Sequence, residues 1–189
     1  MTLAKKKKSD DVYSYLENEL KKSIQGEVNF DEVYKQMYST DGSIYSMTPI
    51  GVTLPKNPDD VSAIIDICNK NNTAVLPRGG GTSLSGQTVN SAVVMDFSKY
   101  MNNVLEINPE ENYVITEPGI TIDNLNQRLK NTNLHFTPDP STKSRANVGG
   151  AMGNNSCGAH SVIYGKTVDQ VKEMEVILSD SSKAYFEEI

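Results

Sequence analysis

Residues 77–87 read PRGGGTSLSGQ, and they lie between two segments rich in apolar residues, 73–76 and 92–97. Three consecutive glycines let the backbone turn tightly, and their N–H groups can converge into a nest that binds an anion. Four side chains add hydrogen-bond donors to the same stretch: Arg78, Thr82, Ser83 and Ser85. The stretch therefore predicts a phosphate site in a loop between two buried strands.

Two well-known phosphate-binding templates come close to this stretch and fail. The P-loop template G-x-x-x-x-G-K-[ST] aligns with residues 81–88, but Gln87 replaces its lysine and a strand follows in place of a helix. The dinucleotide template G-x-G-x-x-G begins at Gly79, but Leu84 occupies its last glycine position. Neutral donors without a lysine suit a buried pyrophosphate that is retained better than a γ-phosphate that is cleaved.

A second glycine-rich stretch follows at 149–158, and a single phosphate loop would not need it. Its small residues and side-chain amides are Gly149, Gly150, Gly153, Asn154, Asn155 and Gly158. Such a stretch lets the backbone approach a flat polar ring closely, as an isoalloxazine would require. Composition alone does not name the ring, and a glycine-rich surface loop is the alternative.

Three motifs in a fixed order carry a specific resemblance. They are P-R-G-G-G-T-S-L-S-G-Q at 77–87, P-D-P-S-T at 138–142, and V-G-G-x-x-x-N-N-S-C-G-A-H-S-x-x-Y-G-K-T-V-D at 148–169. Together they resemble the flavin-binding domain of FAD-linked oxidases of the vanillyl-alcohol oxidase (PCMH-type) superfamily, over about residues 38–189.

Within that superfamily the sequence is most similar to FAD-dependent D-2-hydroxyacid dehydrogenases, such as D-lactate dehydrogenase, the glycolate oxidase D subunit and D-2-hydroxyglutarate dehydrogenase. The form N-N-S-C-G-x-H-S, with S-T-D-x-S-I-Y at 39–45, resembles the long members that carry a C-terminal iron–sulfur region.

The resemblance implies FAD as the cofactor and assigns residues to its two parts. The residues implied for the pyrophosphate are Pro77, Arg78, Gly79, Gly80, Gly81, Thr82, Ser83, Leu84, Gly86 and Gln87. The residues implied for the flavin and ribityl portion are Pro138, Asp139, Pro140, Ser141, Ser144, Gly149, Gly150, Asn154, Asn155 and Gly158. Some members tether FAD through a histidine in an R-x-G-G-H-S pattern. Because Thr82 stands at that position here, we expect non-covalent FAD.

Three reactive side chains between residues 135 and 160 receive no catalytic role. Small size next to the flavin explains Cys157 more simply than redox chemistry does. We expect His135 to be structural, whereas His160 is a candidate for a polar contact near FAD. Nothing in the sequence positions a base against a substrate, so no catalytic residue is assigned.

The expected fold is α+β, a two-lobed PCMH-type FAD-binding fold with a small α/β lobe and a truncated mixed-sheet lobe. Residues 1–46 are interpreted as an N-terminal helical extension and 47–189 as the FAD-binding domain, incomplete at its C-terminus. Its first lobe covers about 47–98 and its second begins near 103, with FAD expected between them. Helices are predicted at 10–25, 31–38, 57–72 and from Thr121; strands at 50–55, 73–77, 92–97, 103–109 and 113–119; and a hairpin at 171–188. Residues 131–166 look too rich in Gly and Pro for an ordinary core element.

Composition limits the partners and the compartment. A net charge of −6 disfavours a nucleic-acid partner, and no apolar stretch reaches the length of a membrane span. We interpret Lys5–Lys8 as a solvated, frayed terminus. Two cysteines without ligand spacing predict neither a disulfide framework nor a metal site, and Cys68 falls on the apolar face of a helix. The expected location is cytoplasmic, with membrane association through an electron-acceptor partner as the alternative.

For the whole protein, the resemblance implies oxidation of a D-2-hydroxyacid (D-lactate, glycolate or D-2-hydroxyglutarate) to the 2-oxoacid by hydride transfer to flavin N5. The electrons would then pass to a quinone, a cytochrome or an iron–sulfur acceptor. The chain is expected to be a fragment, inactive by itself, with the substrate domain and any iron–sulfur cluster in a missing C-terminal part. The alternatives are the FAD domain of an alditol, lactone or UDP-sugar enolpyruvate enzyme, and a non-catalytic nucleotide-binding module.

Overall fold

The computed structural model describes residues 3–187, with only the backbone described for residues 3–12. The chain divides into two compact units. The first comprises the residues up to Pro77 together with Ser83–Asp96 and Ile177–Ser182. The second comprises Arg78–Thr82, Phe97–Val176 and the residues from Lys183 onward.

The first unit contains three helices, all predicted from the sequence: α1 (Leu3–Ser23), α2 (Glu32–Met37) and α3 (Pro58–Lys70). Asp31 caps α2 by accepting hydrogen bonds from the N–H groups of its first turn, and Asn57 caps α3 in the same way. Helix α1 begins at Leu3, well before the predicted start at residue 10. The expectation of a frayed lysine run was therefore wrong: Lys5–Lys8 have helical backbone, consistent with the good helix propensity of lysine.

The sheet of the first unit has the strand order β1-β2-β4-β3. Its strands are β1 (Glu27–Asn29), β2 (Gly51–Leu54), β3 (Val75–Arg78) and β4 (Val93–Asp96). Strand β2 runs parallel to β4 and antiparallel to β1, and every residue of β2 and β4 is buried. Strand β1 was not predicted, because three residues are too few to show an alternating pattern.

A buried carboxylate joins the end of α1 to the start of α3. Asp60 is 3% exposed, and its side chain accepts hydrogen bonds from the backbone N–H groups of Gln25 (2.8 Å), Gly26 (2.9 Å) and Lys56 (2.9 Å). Ionised acceptors make stronger hydrogen bonds than neutral ones, and a buried N–H left without a partner is costly. Asp60 therefore fixes the chain at two places, directly before β1 and just after β2.

The second unit contains the antiparallel pair β5 (Val104–Asn108) and β6 (Tyr113–Thr116), followed by α4 (Ile122–Leu129). Thr121 caps α4, and the three predicted apolar residues of this helix are buried: Ile122, Leu125 and Leu129. Ile120, Leu125 and Leu129 form a core against which side chains from β5 and β6 pack. These predictions are confirmed.

The segment 131–166 is more regular than its composition suggested. It contains α5 (Val148–Asn154) and α6 (Ser161–Tyr164), and a 3₁₀ helix follows (Thr167–Gln170). Buried Ala151 and Ala146 pack with Ile122, and a Cβ on Gly149 would lie 2.6 Å from Pro118. Small residues thus let a short helix pack closely where we expected irregular chain.

Two further strands, β7 (Glu173–Ile177) and β8 (Lys183–Glu187), form a separate two-stranded sheet at the predicted hairpin. Residue 188, the last of that prediction, lies outside the described residues. None of the helices in the described part of the chain combines the length and apolarity that a bilayer crossing requires. Among the same residues, no cluster of three or more His, Cys, Asp or Glu side chains is arranged to hold a metal ion.

The Asp60 junction is tested by the substitution Asp60→Asn. One acceptor oxygen becomes an NH₂ group that faces backbone donors, so we expect a loss of about 2 kcal/mol in the free energy of unfolding. Urea unfolding followed by circular dichroism measures it. Asp59→Asn is the matched control, because Asp59 lies in the same first turn of α3 but is exposed. Equal losses in the two variants would contradict the assigned role.

The two cysteines are expected to differ in reactivity. Burial raises the pKa of the Cys68 thiol to about 12, so almost no thiolate forms at pH 8, whereas Cys157 is exposed. Ellman's reagent at pH 8 should titrate one thiol per native chain and two per chain in denaturant. Rapid reaction of both thiols in the native protein, or continued reaction in a Cys157→Ser variant, would show that Cys68 is accessible.

Candidate cofactor site

The glycines that open the first loop pack directly against the segment that precedes the second motif. A Cβ on Gly79 would lie 2.6 Å from the Asn147 side-chain oxygen, and a Cβ on Gly80 would overlap the carbonyl oxygen of Arg145. No larger residue fits at either position without displacing backbone or a buried side chain. Within the second unit, the structure therefore places Gly79 and Gly80 against the residues that directly precede the second glycine-rich stretch.

The third glycine reverses the chain beside a positive charge. Gly81 has a φ of +64°, in the left-handed region that glycine adopts without strain. A Cβ at this position would lie 2.6 Å from a terminal nitrogen of the Arg78 guanidinium. The absence of a Cβ at Gly81 thus leaves room for the Arg78 guanidinium beside the loop.

Consecutive backbone donors in this loop are unused. The N–H groups of Gly80, Gly81 and Thr82 take part in none of the hydrogen bonds found among residues 3–187. Gly80 is exposed, and the other two are half-buried. Adjacent N–H groups without internal partners, next to a guanidinium, are the donor set that an anion requires.

The next residues of the loop use their polar groups on one another. The Ser83 hydroxyl donates to Gln87 Oε1 (2.8 Å) and accepts from the N–H groups of Ser85 (3.2 Å) and Gln87 (3.3 Å). Gly86 has a φ of +72°, and the Leu84 side chain is 80% exposed. Ser83 and Gln87 therefore shape the loop, while Pro77, also exposed, lies in strand β3, which leads into it.

At the P-D-P-S-T segment (138–142), the structure brings together some of the residues expected to contact the flavin and ribityl portion. Pro138 and Pro140 are buried, and a Cβ on Gly158 would overlap the carbonyl oxygens of Pro138 and Asp139. Asp139 has a φ of +51°. The segment and Gly158 are thus held in close backbone contact, whereas Ser141 and Ser144 are exposed.

Asp139 is the centre of a small polar cluster. Its carboxylate accepts a hydrogen bond from Lys143 Nζ (2.6 Å), and this bond is the main reason that the pKa of Asp139 lies below its usual value. His160 Nδ1 lies 3.8 Å from the other carboxylate oxygen. The rings of His135 and His160 both meet Tyr164 edge-on. Asp139 is therefore a polar neighbour of His160.

The glycines and asparagines of α5 divide into two groups. Gly149 is required by its contact with Pro118, whereas a Cβ on Gly150 or Gly153 would meet no atom within 4 Å. Asn154 and Asn155 are exposed; Asn155 ends α5 with a φ of +46° and accepts a hydrogen bond from the Val168 N–H (3.0 Å). Gly150 and Gly153 thus leave open space along the helix.

Sequence reasoning missed Asn147, which is 2% exposed. Its Nδ2 donates to the carbonyl oxygen of Gly119, and its Oδ1, beside Gly79 and Gly80, has no hydrogen-bond partner among the described groups. The available signal was its position directly before V-G-G, at the N-cap of α5. Because Oδ1 is an acceptor, the partner it lacks is a donor group; the groups that fit a phosphate at this loop are the neighbouring backbone N–H donors.

A family model described as "FAD binding domain" matches residues 49–183. D-2-hydroxyglutarate dehydrogenase of Escherichia coli strain K12 is 41% identical over 143 residues, which are 74% of this chain and 14% of that protein. Glycolate oxidase subunit GlcD of Bacillus subtilis strain 168 is 33% identical over 162 residues, which are 83% of this chain and 34% of that protein. The chain thus spans about a third or less of the length of these relatives.

Solved structures agree on the fold. An alkyldihydroxyacetonephosphate synthase superposes with a TM-score of 0.82 at 20% identity, covering 94% of this chain and 35% of that one. The 6-hydroxy-D-nicotine oxidase of Arthrobacter nicotinovorans gives a TM-score of 0.76 at 18% identity, covering 87% of this chain and 36% of that one. Because the family model covers residues 49–183, the chain belongs to the FAD-binding domain family, and these solved structures share its fold.

Proposed function

We propose that the chain is the FAD-binding portion of a flavin-dependent dehydrogenase that oxidises D-2-hydroxyacids. The observation that carries the proposal is the set of N–H groups at Gly80, Gly81 and Thr82 without a partner among residues 3–187, beside the Arg78 guanidinium and next to the contact of Gly79 and Gly80 with Arg145 and Asn147. The names of the similar proteins support the hydroxyacid class, with D-2-hydroxyglutarate as the first substrate to test. Because the chain covers only part of those proteins, activity belongs to the full-length gene product.

The roles of the loop residues follow from their contacts. The free N–H groups of residues 80–82, with the Thr82 hydroxyl and Arg78, would hold the FAD pyrophosphate, while Ser83 and Gln87 keep the loop in shape. Thr82 offers no nucleophilic ring nitrogen for a flavin linkage, so we propose that FAD is held non-covalently. The P-D-P-S-T segment and α5 would contact the flavin and ribityl portion, with open space at Gly150 and Gly153.

The residues of this chain suit cofactor binding, and this limits the role that it would have in the whole protein. Bound FAD would supply the hydride acceptor of the reaction. The residues of this chain would bind and orient that cofactor, and we assign none of them as the base that takes the hydroxyl proton. We further propose a PCMH-type domain from about residue 47, a cytoplasmic location, and a quinone, cytochrome or iron–sulfur centre as electron acceptor.

The pyrophosphate assignment predicts the effect of Thr82→Val. The substitution keeps the branched shape and removes one hydroxyl donor, so we expect the dissociation constant of FAD to rise about tenfold. Titration of the apoprotein with FAD, followed by flavin fluorescence, measures it. Thr82→Ser is the matched control and should bind FAD as the original protein does. Unchanged affinity in Thr82→Val would remove Thr82 from the site.

The substrate assignment predicts reduction of the flavin by one class of compound. Under anaerobic conditions, D-2-hydroxyglutarate, D-lactate or glycolate should bleach the flavin absorbance of the full-length protein. L-2-Hydroxyglutarate, alditols and sugar lactones should leave it oxidised. Bleaching by alditols or lactones alone would favour the rival oxidases of the same superfamily. A protein that binds no flavin would contradict the proposed function as a whole.

A further inference from the structure

The S-T-D-G-S-I-Y motif at 39–45 lies in the first unit, in a closed loop between α2 and β2. Thr40 and Ser46 form an isolated antiparallel bridge, and the Met47 N–H donates to the Ser39 carbonyl oxygen (2.8 Å). Ser39 is buried. These bonds close residues 39–47 into a compact segment, called here the 39–47 loop, which has a defined shape of its own.

Asp41 connects the 39–47 loop to Thr88, at the C-terminal end of the glycine loop (residues 77–88). Its Oδ2 accepts hydrogen bonds from the Thr88 hydroxyl (2.9 Å) and the Thr88 N–H (3.3 Å), and its Oδ1 accepts from the Ser43 N–H (2.8 Å). Burial raises the pKa of Asp41, but the hydrogen bonds from Ser43 and Thr88 outweigh burial and hold that pKa below its usual value. The carboxylate is therefore charged at neutral pH, as these bonds require.

A second contact joins the same two segments. Gly86 lies against the Tyr45 ring, and a Cβ at this position would come within 2.6 Å of ring atom Cδ2. The left-handed φ of Gly86 already favours glycine, so backbone conformation and the Tyr45 contact restrict the same residue. Residues 86 and 88 are thus held from outside the glycine loop, in addition to the bonds that Ser83 makes within it.

Holding this end of the loop matters for ligand binding because of conformational entropy. A glycine-rich segment has more backbone freedom to lose than any other kind of segment. If the binding conformation is only a fraction of the ensemble, the apparent affinity falls by that fraction. Contacts that fix the loop before the ligand arrives therefore raise affinity without touching the ligand.

We propose that Asp41 and Tyr45 are positioning residues for cofactor binding: they hold residues 86–88, and thereby the glycine loop, in the conformation that receives the FAD pyrophosphate. The inference rests on the proposed function. It gives the 39–45 motif a physical role, since the motif supplies both contacts to the loop. Asp41 acts through Thr88 and does not contact the ligand.

A double-mutant cycle tests the proposal on the full-length apoprotein. Asp41→Asn and Thr88→Val should each raise the FAD dissociation constant about tenfold, because each removes the charged hydrogen bond that orders the loop. The double variant should bind FAD no more weakly than the single variant with the lower FAD affinity. Both changes act on the same hydrogen bond, from the Thr88 hydroxyl to the Asp41 carboxylate. Thr88→Ser keeps the hydroxyl and should restore affinity.

Asp66→Asn is the matched control, because it removes the same charge from an exposed pair with Lys70 on α3. It should leave FAD affinity unchanged. In addition, hydrogen exchange of the FAD-free protein should become faster in residues 83–88 of Asp41→Asn and stay the same in α3. This measurement separates local loosening of the loop from a general loss of structure.

The outcomes are distinct. Unchanged affinity in Asp41→Asn and Thr88→Val, or losses that add in the double variant, would overturn the inference and leave the proposed function in place. Faster hydrogen exchange throughout α3 in Asp41→Asn would also overturn the inference and leave the proposed function in place. Asp41 would then stabilise the first unit in general and not the loop in particular. Failure of the unsubstituted protein to bind FAD would overturn both.

Discussion

The candidate site depends on the close approach of the Gly79–Gly80 backbone to Arg145 and Asn147. A side chain at either glycine would collide with the carbonyl of residue 145 or the amide of residue 147, so the contact exists only because both positions lack a Cβ. With this contact in place, the following N–H groups have no partner within the described chain. The neutral donors of the proposed pyrophosphate site thus directly follow a close packing contact between two stretches of backbone.

The glycine loop consists of two halves with different physical roles. The N–H groups of residues 80–82 have no hydrogen-bond partner among residues 3–187, and Arg78 lies alongside. In residues 83–88, polar groups are used within the loop or by Asp41, and the Ser83 side chain is buried. The first half has the chemistry of a binding surface, and the second has the bonding of a support. The serine-rich composition, which first suggested donors throughout, conceals this distinction.

Local rules explain why most of the fold could be predicted. Asn57-Pro58 and Thr121 mark the starts of α3 and α4 by capping, and apolar spacing identified the buried faces of both helices. Tertiary contacts explain what was missed. Strand β1 is three residues long and depends on pairing with β2, and α5 depends on small residues packing against Pro118 and Ile122. Asn147 could not be recognised because its significance lies in distant neighbours, Gly119 and the first glycine loop.

The meeting of Gly79 with Asn147 also bears on how the site is made during synthesis. Everything from β4 through α4 lies between these two residues in the chain. The contact is therefore strongly non-local, and closing it comes at the entropic cost of ordering all the intervening chain. On a ribosome, the first glycine loop would emerge long before its packing partner. Until residue 147 leaves the exit tunnel, the nascent chain lacks the packing partner of Gly79, so the loop reaches its final conformation only after residue 147 has emerged.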